Sequence, residues 1–336
     1  MKSLKVGLVG ATGMVGETFI KLIEERNFPV EELHPFASEN SLDKSVFLYK
    51  KQWPIQTLSE NCFAGLDLVF FSSGDPISLE WAPKAVAAGA FAIDNSGAFR
   101  MKSEYPLVVP EVNACALPDK SKPTIIANPN CSTIQLVVAL QALKKFNIQD
   151  VKVSTYQAVS GGGKASQEEL LEQEKNFGNS LKISEPINFP HQIMHNCIPE
   201  IGSFSEDGFC SEEIKIMTES RKILNLPDLQ ISAFTVRVPA LNGHSESVWI
   251  NFEKEITRAE IVSAFNEMPG LVVMDDPKNH IYPHVAEVSG QDPVYVGRIH
   301  KDLYNPKTWI FWVVGDNIRK GAALNGIQIA ESIFCQ

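Results

Sequence analysis

Hydrophobic and polar positions fall into two textures along the chain. In the first third, short and nearly unbroken apolar runs alternate with stretches whose apolar residues recur every three or four positions. LKVGLVG (4–10), LHPFAS (33–38), LDLVFFSS (66–73), AFAIDNS (90–96) and PTIIANP (123–129) have the length and apolar density of buried strands. MVGETFIKLIEER (14–26) and LEWAPKAVAAG (79–89) carry helical spacing, and the second stops at Gly89. Strands that alternate with helices pair in parallel through right-handed crossovers, so this part predicts an α/β doubly wound sheet.

From about residue 128 the runs lengthen and often alternate in polarity. VKVSTYQAVS (151–160), LQISAFTVRVPA (229–240), HSESVWINFE (244–253), VYVGRIHKD (294–302) and TWIFWVVGD (308–316) are of this kind. Alternation belongs to a half-covered sheet, mixed or largely antiparallel. KASQEELLEQEKNF (164–177), SEEIKIMTESRKILN (211–225) and TRAEIVSAFNEM (257–268) are predicted helices, and RKGAALNGIQIAESIF (319–334) is a last one. Neither repeats nor low-complexity linkers interrupt the pattern.

A chain of 336 residues exceeds the usual size of one core, so two domains are expected. With 44% hydrophobic and 21% charged residues it has ordinary globular composition. The formal net charge of −10 argues against nucleic acid or an anionic membrane as partner. MKSLKVGLVG lacks the apolar core of a secretory signal, and no stretch reaches the roughly 20 apolar residues of a spanning helix. Cysteines 62, 115, 131, 197, 210 and 335 are scattered. Reduced thiols in the cytoplasm are the simplest reading, which leaves one free to act as a nucleophile.

Candidate chemistry begins at GLVGATGMVG (7–16). Gly10, Gly13 and Gly16 stand between a strand and a helix, where a tight turn and exposed helix amides can meet a pyrophosphate. At the end of the second strand Glu39 can accept from a free ribose 2′-hydroxyl, as in NAD. Ser38, Ser41 and Lys44 can instead hold a 2′-phosphate, as in NADP. In ANPNCSTI (127–134), Asn128, Asn130 and Ser132 are cap-type residues before an apolar helix expected from about Thr133. That sets Cys131 in or beside a first helical turn, where unpaired amides and the dipole favour a thiolate. RVPALNGHSE (237–246) adds Arg237 and His244 across a turn, a cation and a proton carrier for such a nucleophile. His191, His195 and Cys197 have metal-like spacing, but no third ligand of comparable quality accompanies them and no metal is expected.

GATGMVG, DNSGAFRM, NPNCST, TYQAVSG, RVPALNGHSE, YVGRIHKD and GDNIRKGAALNGIQIAE together resemble the aspartate-β-semialdehyde dehydrogenase family, from residue 4 to the last helix. The resemblance implies a Rossmann-type nucleotide domain plus an α+β catalytic and dimerisation domain. It implies NADPH-dependent reduction of L-aspartyl 4-phosphate to L-aspartate 4-semialdehyde and phosphate, feeding lysine, threonine and methionine synthesis. Cys131 then matches the nucleophile, His244 the acid/base, and Gln157 the amide that orients the covalent intermediate. Arg237 and Glu212 match the groups that hold the substrate's carboxylate and amino ends, and Arg100, Asn130 and Lys215 match the phosphate site. A guanidinium fork suits a carboxylate and a carboxylate suits an ammonium, so the chemistry agrees. Glu212 is preferred to its neighbour Glu213 because its spacing of three to Lys215 fits the pattern of the family that the chain resembles.

Cofactor contacts implied in the same way are Gly10, Thr12, Gly13, Met14, Val15, Gly16, Ser38, Ser41, Lys44, Ser73, Gly74, Ser160, Gly161, Gly162 and Asn317. Asn317 implies a last helix packed back on the nucleotide domain. The expected domains are therefore 1–127 with 317–336, and 128–316. A homodimer is implied through the second domain. Two stretches depart from the family pattern: Asn40 stands where a ribose-phosphate arginine is usual and Asp43 where a glycine is, so NADP is expected with NAD left open. SGGGKASQEEL also replaces an alanine-rich loop, which bears on local shape. The alternatives are an N-acetyl-gamma-glutamyl-phosphate reductase and a non-catalytic nucleotide sensor. The first belongs with a PGCY setting rather than NPNCST, and the second has no need of Cys131, His244 and Arg237 together.

Overall fold

The computed structural model describes residues 3–335. It divides into two compact units, one made of residues up to Asn130 together with those from Ala322 onward, the other of Cys131–Gly321. The expected breaks at 127/128 and 316/317 thus lie three and five residues earlier than the observed ones. Asn128 stays with the first unit because its backbone N–H donates to Asp94 O (2.7 Å) and its Nδ2 to Asn95 Oδ1 (2.7 Å) and Ala322 O (3.1 Å).

In the first unit, β1 (Leu4–Val9), α1 (Met14–Glu25) and β2 (Val30–Phe36) are followed by a hairpin, β3 (Ser45–Leu48) and β4 (Lys51–Pro54). Then come β5 (Leu68–Phe71), α2 (Asp75–Ala87), β6 (Phe91–Asp94), the short α3 (Pro110–Asn113) and β7 (Ile125–Ala127). The sheet runs β2-β1-β5-β6-β7 with every pairing parallel, the doubly wound arrangement expected from unbroken apolar strands. Its order reverses between β1 and β5, so the carboxyl ends of those strands form the crevice where such sheets bind ligands. The hairpin was not expected. Its turn uses Tyr49 and Lys50 at φ 50° and 62°, positions that a sequence normally marks with Asn or Gly.

The chain's last helix completes this unit's core. Leu324, Ile327, Ala330 and Ile333 are buried with Phe19, Leu22 and Ile23. A Cβ on Gly326 would lie 2.9 Å from the Phe19 ring, so glycine permits the close approach. Arg26 Nε and Nη2 donate to the two Glu331 carboxylate oxygens at 2.8 and 2.7 Å.

In the second unit, α4 (Cys131–Leu143), β8 (Ile148–Gln157), α5 (Lys164–Gly178), α6 (Ser211–Leu224) and β9 (Gln230–Arg237) come first. They are followed by β10 (His244–Phe252), α7 (Arg258–Glu267), β11 (Leu271–Val273), the short α8 (Val285–Val288), β12 (Val294–Lys301) and β13 (Thr308–Gly315). The sheet order is β11-β12-β13-β10-β8-β9. β8–β9 and β11–β12 are parallel and the other pairs antiparallel, the mixed sheet that the alternation predicted. α4 is buried from Ser132 through Leu140, which explains its apolar character all round. Packing of α4, α6 and α7 covers one sheet face. On the other, Tyr156, Phe234 and Trp249 are exposed.

Among the described residues no helix is long and apolar enough to cross a membrane, and no group of side chains is arranged to hold a metal. His195, one of the histidines with metal-like spacing, instead packs its ring edge-on against Phe177 at 4.9 Å.

One acid lies in the second core. Glu246 on β10 is fully buried and neither carboxyl oxygen has a hydrogen-bond partner. Burial pushes its pKa well above the ordinary 4.5. The folded chain therefore keeps a proton that the unfolded chain loses above about pH 4.5, and stability falls as pH rises, by up to about 1.4 kcal/mol per unit. Glu246→Gln removes that dependence. Thermal melts at pH 5 and pH 8 should give the variant a larger Tm advantage at pH 8; an equal difference at both would mean that the acid is not buried uncharged.

Candidate active site

Strand register builds the site. β8 lies between β9 and β10, and Gln157 at its end pairs with Arg237 on one side and His244 on the other. All three face inward, at 6% exposure for Arg237, 1% for Gln157 and 0% for His244. Alternation along each strand continues the inward face with Thr155, Thr235 and Glu246. A guanidinium, an amide and an imidazole thus stand in a row at one end of the sheet.

The peptide of Ala158, the next residue, fixes two of them. Its N–H donates to His244 Nδ1 at 3.1 Å, and its carbonyl accepts from Arg237 Nη1 at 2.7 Å. With Nδ1 occupied as an acceptor, a neutral His244 carries its proton on Nε2. That nitrogen is buried without a hydrogen-bond partner. Burial, reinforced by the Arg237 charge, lowers the His244 pKa to about 3, so the ring is neutral at physiological pH. An unpaired buried donor costs about 1–3 kcal/mol, which a ligand oxygen recovers. The chain then turns through Val159–Gly162. A Cβ on Gly161 would stand 2.6 Å from Arg237 Nη1 and 3.2 Å from His244 Nε2, so a side chain there would displace the guanidinium and crowd the imidazole.

Charge enters from α6 and α4. Glu212, 6% exposed in the first turn of α6, accepts from Gln157 Nε2 at 3.2 Å and pairs with the half-exposed Lys215 at 3.3 Å. Gln157 Oε1 accepts from Thr155 Oγ1 at 2.9 Å, which orients the amide. Glu213 is committed elsewhere: its oxygens accept from Cys210 N and Thr235 N, both at 2.9 Å, capping α6 and tying it to β9. Burial pulls the Arg237 pKa down, and the charges of Glu212 and Cys131 hold it up. Cys131 is the first residue of α4, two positions earlier than the helix start expected at Thr133. A Cβ on Gly321 would lie 2.9 Å from Cys131 Cβ, so the chain packs tightly against the start of α4.

The remaining expected contacts of this unit lie in its loops. Ser160 Oγ is 3.0 Å from both Asn242 Oδ1 and Asn317 Oδ1, and Gly243 N–H donates to Asn317 Oδ1 at 2.8 Å. Asn317 therefore braces the turn before His244. A Cβ on Gly162 would meet Ser166 Oγ at 2.5 Å.

In the first unit Gly10, at φ 85°, turns the chain after β1, and a Cβ there would strike Ser72 O at 2.8 Å. A Cβ on Gly16 would reach Gly10 O at 2.2 Å, which fixes how closely α1 meets the turn. The N-cap of α1, Gly13, has no side-chain hydrogen bond, which leaves the amides beyond it, from Met14 and Val15, without a capping side chain. Thr12 is half-buried in the same turn. After β5, Ser73 Oγ is buried without a partner beside Gly74, the N-cap of α2. Uncapped amides and an orphaned hydroxyl at the switch point fit a dinucleotide. Ser38 and Lys44 are exposed beyond β2, as are Glu39, Asn40 and Asp43, whereas Ser41 is buried. Arg100 is 8% exposed and its Nη2 donates to Asn95 O at 2.9 Å; buried Asp94 adds an opposite charge. Asn130 is also buried. Asn128 is no helix cap: its side chain bonds Asn95, Ala322 and Asn325.

Sequence reasoning missed Ala158, which acts through its backbone and leaves no side-chain signal. Gly321 was quoted without a role, although a glycine packed against a helix start is a legible sign of close approach.

Two family models match the chain: semialdehyde dehydrogenase, NAD binding domain, over residues 5–119, and semialdehyde dehydrogenase, dimerisation domain, over residues 140–320. The aspartate-semialdehyde dehydrogenase of Aquifex aeolicus (strain VF5) is 48% identical over 97% of this chain and 97% of its own. That of Bacillus subtilis (strain 168) is 43% identical over 99% and 98%. Among solved structures, aspartate semialdehyde dehydrogenase II from Vibrio cholerae complexed with ASA superposes with a TM-score of 0.96 at 38% identity, covering 100% of this chain and 99% of that one.

The state of His244 is open to direct observation. In the NMR spectrum of ring-labelled histidines, the resonances lost in His244→Gln should not titrate between pH 5 and pH 8. A midpoint near the ordinary 6.5 would contradict a buried neutral ring.

Proposed function

Because the chain belongs to the aspartate-semialdehyde dehydrogenase family, we propose that it reduces L-aspartyl 4-phosphate to L-aspartate 4-semialdehyde and phosphate with NADPH. The row Arg237–Gln157–His244 beside Glu212 carries this reading. A buried cation and a buried anion are complementary to the α-carboxylate and α-ammonium of an amino acid. An N-acetylated substrate would offer Glu212 no cation, which disfavours the glutamyl-phosphate alternative.

Cys131 acts as a thiolate, stabilised by its place in the first turn of α4 and by the Arg237 charge. Its sulfur forms a bond to the acyl carbon, the carbon–oxygen bond to phosphate breaks, and a thioester remains. Arg100, Asn130 and Lys215 are assigned to the phosphate. Gln157, held by Thr155 and Glu212, orients the thioester. A dinucleotide held by the glycine turn after β1 would supply the hydride. The tetrahedral oxyanion on Cys131 then accepts a hydrogen bond from His244 Nε2–H, a contribution of about 3–4 kcal/mol for a well-placed donor. Expulsion of the thiolate releases the aldehyde and restores the nucleophile, so no base is needed once Cys131 rests as thiolate. His244 serves as donor rather than acceptor in this sequence.

The dinucleotide is assigned to Gly10, Thr12, Gly13, Met14, Val15, Gly16, Ser73 and Gly74 in the first unit, and to Ser160, Gly161, Gly162 and Asn317 in the second. NADP is preferred through Ser38, Ser41 and Lys44. A homodimer through the open sheet face, with Tyr156, Phe234 and Trp249, accords with the match to a dimerisation domain.

Oxidation of aspartate semialdehyde should require phosphate and run faster with NADP than with NAD, followed at the absorbance of the reduced cofactor. Cys131→Ala should abolish turnover while dinucleotide binding persists. No phosphate dependence would overturn the reaction, and a preference for NAD would overturn the ribose assignment alone.

A further inference from the structure

Gln135 lies one turn beyond Cys131 on α4 and is 2% exposed. Its Nε2 donates to the backbone oxygen of His244 at 3.3 Å. The partner of His244 in β13 is Gly315, where a Cβ would stand 2.9 Å from Gln135 Oε1. The amide therefore sits on the His244–Gly315 step of the sheet, in a space that a side chain at 315 would close. Two residues along β10 and on the same face is Glu246. The Gln135 amide faces its carboxyl and favours the charged form, yet neither oxygen completes a hydrogen bond.

We propose that Gln135 and Glu246 are a positioning pair for the reaction above, holding the start of the nucleophile's helix at a fixed distance from His244. The proposal rests on that functional reading. Apolar packing between α4 and the sheet resists separation but is non-directional, so it sets spacing less sharply than a hydrogen bond. Gln135 supplies the bond to the His244 strand, and Glu246 fills the space beneath and keeps the amide on the His244 carbonyl. Burying an amide and a carboxyl here costs stability that an apolar pair would not. Placement is what that cost secures, since an error of about 1 Å between reacting groups can lower a rate on the order of 100-fold.

The test uses Glu246→Gln, Glu246→Leu, Gln135→Leu and the double leucine variant of the full chain, assayed with aspartate semialdehyde, phosphate and NADP. Glu246→Gln, which keeps the shape of the neutral acid, should retain kcat within about threefold. Each leucine variant should lose about tenfold or more in kcat with KM within about threefold. The double variant should lose no more than the worse single, because the two residues act as one. Cys131 should react with iodoacetamide at the wild-type rate throughout, since alkylation needs the thiolate and not His244. Unchanged kcat in the leucine variants would overturn the pair. So would equal losses in Glu246→Gln and Glu246→Leu, additive losses in the double variant, or a parallel fall in alkylation, the mark of a general collapse of the helix start. An inactive wild type would defeat the functional reading itself, whereas an active wild type with indifferent variants defeats the pair alone.

Discussion

The register of β8 against its two neighbours is the constraint from which the rest of the site follows. Gln157 stands opposite Arg237 and His244 at once, so three side chains of different chemistry reach one end of the covered face. A slip of one residue in β8 would turn Gln157 and Thr155 to the open face and bring Tyr156 inward. The bonds from Ala158 to both neighbours hold the register at its critical end. Thr155, Val153 and Val151, buried on the same face, oppose a slip along the rest of the strand.

Electrostatics follows from that placement. The site buries an arginine, a glutamate and a histidine together, and resolves them differently. Arg237 keeps its charge because Glu212 and Cys131 offset its burial. His244, with the Arg237 cation beside it, stays neutral and presents its remaining proton into the site. Glu246, fully buried, has its pKa pushed well above the ordinary carboxylate value by that burial. Each state is set by the neighbours that register supplies, and His244 Nε2 is left as an uncommitted donor for the negative charge of the proposed reaction.

Much of this was legible in the sequence. Alternating polarity located β8, β9, β10, β12 and β13, and unbroken apolar runs located the parallel strands, because burial on one face or two writes itself directly into the pattern. The hairpin at Ser45–Pro54 escaped because Tyr49 and Lys50 adopt turn geometry without the usual turn residues. The helix of Cys131 starts earlier than cap-type residues indicated, since Asn128 is drawn into bonds with Asn95, Ala322 and Asn325. Glu212 and Glu213 are neighbours of the same type, and only the family pattern of spacing to Lys215 chose between them; their partners now separate them, one toward Gln157 and Lys215, the other into the cap of α6. What no pattern carries is backbone chemistry, such as the peptide of Ala158, or a buried acid whose meaning depends on the absence of partners.

The central claim is that the sulfur of Cys131 becomes esterified by the substrate while His244 stands ready as a donor. Mass spectrometry of His244→Gln quenched during turnover of aspartyl phosphate tests it most directly. The account predicts an aspartyl adduct on the peptide containing Cys131, accumulating beyond its wild-type level because the step after acylation is slowed. Product formation with no adduct on that peptide, in wild type or variant, would contradict it.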